Sequence, residues 1–178
     1  DWCDLLMDLV TTTLPTHAVI VQGAAIRSDT FTEQRLIAEA SEPFGISAFS
    51  SDVTDSANLV SGIVSSAQGS KRSTVEIVTS DIRCWQLISK HVVVIEPFGA
   101  DTLLKRITDK TVSEQFGIVP QQLPDSLAMI GHSTMDVPGL KGIGKKTAAR
   151  VLSGGRTLTD VLNDPCDVPT KFYRVISQ

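Results

Sequence analysis

The stretch of this chain richest in chemistry is VPGLKGIGKKTAARVL, residues 137–152. Gly142 and Gly144 bracket Ile143, and Lys145, Lys146 and Thr147 follow directly. Glycines permit a tight turn and a close backbone approach. A turn that opens into a helix points unsatisfied N–H groups outward, an arrangement that suits a phosphate. Lys141, Lys145, Lys146, Arg150 and Arg156 surround it with cations, and no acid occurs between Val137 and Thr159. Such contacts grip a nucleic-acid backbone and carry affinity without reading sequence. The plainer alternative is a glycine turn between packed helices with solvated lysines. Paired glycines, an apolar residue between them, a basic pair and the small Ala148 and Ala149 occur together here, and the combination favours the phosphate reading.

The other reactive side chains form no comparable constellation. His17, His91 and His132 are scattered and read as surface or capping residues. Ser65, Ser66 and Thr11 to Thr13 have no partner base in view. Trp2 and Trp85 read as core residues, and Lys71 and Arg72 as a solvated turn. Cys3, Cys84 and Cys166 form no C-x-x-C pair, so neither a disulfide framework nor a zinc knuckle is expected, and a reducing, intracellular compartment fits.

The elements that must position the turn can be read from periodicity. Residues 4–10 (DLLMDLV) have apolar residues at helical spacing. Residues 18–21 (AVIV) form an apolar, β-branched run expected to be a buried parallel strand. A polar loop over 22–32 precedes a helix over 33–40, which Pro43-Phe44-Gly45 stops. Further strands are expected at 46–49, 74–79 and 91–95, with a helix over 59–67, a loop over 68–73 and a helix beginning at Cys84. Helices alone are expected after that, at 112–116, 124–130, 146–152 and 158–163. Strands alternating with helices, then helices alone, predict an α/β core with a helical tail. The boundary is expected near Pro120, giving a core over 1–120 and an all-α subdomain over 121–178.

With 178 residues, 42% hydrophobic and 20% charged, the chain has the make-up of a soluble globular protein with a real core. Its formal net charge of −4 excludes a generally basic nucleic-acid binder, so such a contact must come from a local patch. No apolar run approaches the ~20 residues that cross a bilayer, and no secretory signal is visible, so no membrane association is expected. The chain begins at Asp1 without a methionine, so an N-terminal piece is expected upstream.

The run from Asp125 to Leu152, DSLAMIGHSTMDVPGLKGIGKKTAARVL, resembles the signature of the 5′-nuclease domain of bacterial-type DNA polymerase I, a relative of the flap endonucleases. The resemblance extends backwards in the family's order. THAVIV, residues 16–21, is similar to the strand before its F-D-A; residues 79–87 are similar to its T-x-D-x-D-x-x-Q-L; and residues 58–67 follow where its E-A-D-D should stand. The resemblance implies a PIN-like (resolvase-like) core with a central, mostly parallel sheet flanked by helices, followed by a helix-hairpin-helix subdomain. It also implies that the strand carrying the family's earliest aspartate precedes Asp1.

The family cleaves phosphodiesters with two Mg²⁺ ions ~4 Å apart, which need converging carboxylates. Matched position by position, this chain supplies few. Gly23 stands in the F-D-A slot; Asp55, Ser56, Ala57 and Asn58 stand in the E-A-D-D slot. Asp81 survives in the T-x-D-x-D slot, but Arg83 replaces its second acid, and His132 and Met135 replace both aspartates of G-D-x-S-D. Only Asp55 and Asp81 remain acidic. A guanidinium ~5 Å from a dication costs several kcal/mol even at an effective dielectric of ~20, and a thioether is a poor ligand for magnesium. The loop after Gly23 is short, with Arg27 its one cation, where the family carries a longer basic and aromatic segment that arches over the flap.

The expectation is therefore a catalytically inactive homologue, without cofactor, that binds a DNA or RNA duplex backbone through Lys141, Gly142, Ile143, Gly144, Lys145, Lys146, Thr147 and Arg150. It is expected to meet other proteins in a larger complex and to have no small-molecule substrate. A ribonucleoprotein such as an organellar ribosome or its assembly machinery, in the mitochondrial matrix, is one home. Two alternatives remain: an active Mg²⁺-dependent nuclease with a relocated site built from Asp55, Asp81 and Asp136, or a structural subunit that touches only protein. Within the first, His132 offers a ligand for a transition metal.

Overall fold

The computed structural model describes residues 10–12, 15–23, 35, 39, 41–68, 74–98 and 103–164. The expected loops over 24–32 and 69–73, most of the helices at 4–10 and 33–40, and Trp2, Cys3, Arg27, Lys71, Arg72 and Cys166 lie outside them. The chain divides into two compact units, Asp1–Ser70 with Ala100–Thr102, and Lys71–Gly99 with Leu103–Gln178.

In the first unit, β1 (Val19–Gln22) pairs in parallel with β2 (Ser47–Ser50), in a register that sets Val19 against Ser47 and Gln22 against Ser50. The chain reaches β2 through a 3₁₀ turn, Glu42–Phe44. Gly45 ends that turn at φ 69°, a left-handed backbone that glycine adopts without cost, and returns its N–H to the Glu42 carbonyl. Ser41 and Ile46 are buried beside it. Helix α1 (Ser56–Gln68) follows, turning Val64 inward. The expectation of a buried β1 is corrected: its residues are half-buried at best, and Val19 of β1 and Phe49 of β2 remain 42% and 54% exposed. Two four-residue strands offer too little sheet to enclose both faces.

The second unit holds a three-stranded sheet in the order β3-β4-β5. β3 (Val75–Val78) lies parallel to β4 (Val92–Phe98), which is the central strand, with Val92 and Val94 fully buried. The link between them is a 3₁₀ helix, Ile82–Leu87, burying Cys84 and Trp85, where an α-helix from Cys84 was expected. β5 (Leu103–Ile107) returns antiparallel on the far side of β4. The periodicity of LLKRI did not predict it, because two adjacent cations interrupt any alternation. Pairing selects it instead: Glu96 faces Lys105, and Arg106 meets Glu76 at 3.0 Å.

Helices follow β5 in this unit. Helix α2 (Asp109–Phe116) starts at a reciprocal Thr108–Thr111 capping box and ends at left-handed Gly117. A 3₁₀ turn (Pro120–Gln122) runs into α3 (Leu123–Ile130), and α4 (Lys145–Val151) and α5 (Leu158–Asn163) follow, as the helical spacing predicts. Division by compactness falls near residue 70, so the segments on both sides of Pro120 share one packed unit.

Candidate nucleic-acid interface

The basic turn is built from inside outward. Met129, at the end of α3, accepts a hydrogen bond from the Leu140 N–H at 2.7 Å, and Ile143 donates to the Leu140 carbonyl at 3.0 Å. Ile143 is buried and plugs the turn into the core, while Ala148, Val151 and Leu152 form the inner face of α4. Gly142 and Gly144 then lie outside, with Lys141, Lys145, Lys146 and Arg150 exposed around them and Thr147 half-buried. Gly142 has φ 83°, so its backbone requires glycine.

Gly144 is different. At φ −109°, ψ 179° any residue could stand there, and a Cβ on it would meet nothing within 4 Å. Among the described residues, neither strain nor packing explains the glycine. Its open side leaves the backbone approachable from outside. Because α4 has seven residues, its dipole adds little, and the bare turn and its lysines carry the electrostatics. Arg156 is spent elsewhere: its guanidinium donates to the carbonyls of Asp160 and Asp164.

Residues without a sequence signature hold this turn in place. The buried Gln122 amide donates to the carbonyls of Leu152 and Arg156, both at 2.7 Å, and so fixes the exit of α4. Asp125 accepts the first N–H of α5, from Leu158, at 2.9 Å. The loop before the turn is closed by two glycines in contact. A Cβ on Gly139, at φ 68°, would lie 2.6 Å from the Gly131 nitrogen and the Ile130 carbonyl oxygen. That contact clamps the bridge between His132 and Val137, whose N–H groups reach the opposite carbonyls at 2.9 and 3.1 Å.

The slots matched to metal-binding acids can be tested within each unit. In the second, Asp81, Arg83 and His132 come together. Both Asp81 carboxylate oxygens are taken by Arg83: Nε lies 3.1 and 3.0 Å from them, and one Nη 2.6 Å from Oδ2. Asp81 also caps the 3₁₀ helix, accepting the Arg83 N–H at 2.9 Å. Partial burial by itself pushes the Asp81 pKa up. The Arg83 hydrogen bonds and charge, with a contribution from His132, outweigh this and hold it below its ordinary value. His132 Nδ1 is buried without a hydrogen-bond partner among the described residues, and Asp136, exposed, sits in a left-handed turn at φ 53°.

In the first unit, Asp55 caps α1. Its carboxylate accepts the Asn58 N–H at 3.0 Å and the Asn58 side-chain amide at 3.2 Å. Gly23 packs onto the same helix start: a Cβ there would lie 2.0 Å from the Ser56 nitrogen and 2.5 Å from the Asp55 carbonyl carbon. No side chain fits at that position. These donor sets do not suit a magnesium pair, since the surviving carboxylates are committed to caps and to Arg83. Among the described residues, no group of three or more His, Cys, Asp or Glu gathers as a metal site.

The fold class and the ancestry follow from comparison. A variant of the bacteriophage T5 5′-exonuclease superposes with a TM-score of 0.73 at 13% identity, over 97% of this chain and 73% of that one. The bacteriophage T5 flap endonuclease in a pseudo-enzyme–product complex with DNA and metal ions gives 0.68 at 12% identity, over 98% and 72%. The fold is that of the PIN-like nucleases, an α/β core with a helical hairpin region. In sequence, the flap endonuclease Xni of Yersinia enterocolitica is 29% identical over 194 aligned positions, covering 97% of this chain and 75% of the relative. The 5′-3′ exonuclease of Aquifex aeolicus is 34% identical over 90, covering 51% of this chain and 30% of the relative. No family model matches. The chain is homologous to these enzymes.

Proposed function

We propose that this protein is a catalytically inactive 5′-nuclease homologue that binds a nucleic-acid duplex by its backbone. The observation that carries the reading is the fate of its two retained acids. Asp55 and Asp81 both cap helix starts, and Arg83 covers both oxygens of Asp81. Their retention is explained by local folding, and neither is left to hold a cation. The bare Gly142 to Gly144 turn with its exposed lysines supplies the grip. The named activities of its relatives, and the DNA in the T5 complex, support a nucleic-acid ligand.

In this reading the functional division lies near Pro120, with an inert core over 1–120 and a gripping subdomain over 121–178. The larger setting we propose is a scaffold role, with other proteins, in a ribonucleoprotein such as an organellar ribosome or its assembly intermediate in the mitochondrial matrix. A backbone grip is useful there without cutting. Sedimentation of the tagged protein with organellar ribosomal particles tests that setting.

Two assays test the core claim. Duplex DNA and RNA are titrated at rising salt, with salt-sensitive binding expected and its loss in the Lys145→Glu, Lys146→Glu double variant. A flap-cleavage assay with Mg²⁺ or Mn²⁺ should give no product; cleavage abolished by Asp81→Ala would overturn the reading in favour of an active nuclease.

A further inference from the structure

Lys145 and Ala149 stand four residues apart on α4, and so on one face. Both meet the end of α2. A Cβ on Gly117, the residue that caps α2, would lie 3.0 Å from the Ala149 Cβ. One turn earlier, the Lys145 ammonium lies 4.2 Å from the centroid of the Phe116 ring. That ring is 5% exposed and stands edge-on to buried Trp85, 6.4 Å between centroids at 89°. The lysine is drawn to the ring by its quadrupole, and its stem helps cover the apolar face. Moving its ammonium to a phosphate would give up the ring contact and uncover that face. Lys146, the next residue, is exposed and points ~100° further round the helix.

We propose that the adjacent lysines have separate duties: Lys145 is a positioning residue pinned on Phe116, which fixes the turn, and Lys146 is the phosphate contact. This rests on the reading of the turn as a backbone grip. Phe116 thereby becomes part of the interface although it touches no ligand.

The experiment compares the full chain with its Lys145→Met, Lys146→Met and Phe116→Leu variants. Carbon–proton spectra with labelled lysine read the pin directly. The Lys145 ε-methylene should be shifted upfield by the ring, the shifted signal should vanish in Lys145→Met, and it should move to the ordinary position in Phe116→Leu. Should Phe116→Leu not fold, the Lys145→Met spectrum still assigns the signal.

Duplex DNA binding over a range of salt reads the contact. Lys146→Met should reduce the slope of log affinity against log salt by ~0.9, the value of one phosphate contact, with Tm unchanged. Lys145→Met should lose clearly less slope than Lys146→Met and lower Tm by about 1–3 °C. Absence of an upfield lysine signal, or an equal slope loss in both lysine variants, would overturn the division. Absence of any salt-dependent binding by the wild type would remove the grip and with it the Lys146 duty, while the spectra alone would decide the pin.

Discussion

Arg83 answers the Asp81 carboxylate from two residues away, and the pairing has a consequence in pH. A carboxyl held below its ordinary pKa stabilises the fold above that ordinary value, and the stabilisation is lost as pH falls through the depressed one. In Arg83→Ala, burial is the largest influence left, so the Asp81 pKa should rise. Thermal unfolding followed between about pH 5 and pH 2 should then lose this acid-limb contribution, and a proton titration of Asp81 by NMR should show the upward move directly. The pair is partly exposed, so its own worth is about 0.2–1 kcal/mol. Gly23 sets a second residue-scale expectation. Putting aspartate back should not rebuild a metal ligand, because its Cβ would overlap the backbone at Ser56. Gly23→Asp should destabilise by about 3 kcal/mol or more, measured by denaturant unfolding, and gain no magnesium affinity in calorimetry.

The loop and helix around the hairpin hold a glycine packed against backbone, Gly139, and one open to solvent, Gly144. Gly139→Ala would force a side chain into the Gly131 backbone at a left-handed φ and should cost about 2–4 kcal/mol. Gly144→Ala meets open space and should cost at most ~1 kcal/mol as a poorer helix cap, yet weaken duplex binding several-fold. Paired measurements of unfolding and binding on the two variants distinguish these roles, and equal binding by Gly144→Ala would argue against a close backbone approach. Gln122 acts at the same scale. One buried amide group joins the end of α4 to the start of the segment leading to α5. Its replacement by leucine removes both hydrogen bonds and should cost about 1–3 kcal/mol, read as a lower denaturation midpoint with an unchanged m-value.

Across the whole molecule, an overall charge of −4 opposes association with a polyanion, and the basic stretch around residues 141–150 must act locally. Binding should therefore be of short range and salt-sensitive, and should tolerate changes of duplex sequence. Swapping base sequence in a duplex of constant length should change affinity little; a marked preference would argue against a backbone grip. The fold of the T5 5′-exonuclease is retained in this chain, and Asp81 and Arg83, two residues apart, are paired within it.

Local patterns were legible without coordinates. The β-branched runs at β1, β3 and β4, the helices α1 to α5 and the GIGKK turn each follow from spacing over a few residues, because periodicity and turn chemistry act over that range. The replaced acids could be read the same way. What required tertiary structure was every decision made by residues distant in sequence, or by geometry that composition does not carry. β5 exists because β4 offers it a partner. Gly23 is closed to any side chain because the start of α1 passes against it, and Gln122 matters because its amide donates to two carbonyls thirty or more residues away. Arg83 was visible as an opposing charge, but its commitment to both oxygens of Asp81 depended on the tight 3₁₀ start that brings positions 81 and 83 together. Lys145 and Lys146 look alike in sequence; they differ because one faces Phe116, and a folded chain alone determines which neighbour a side chain meets.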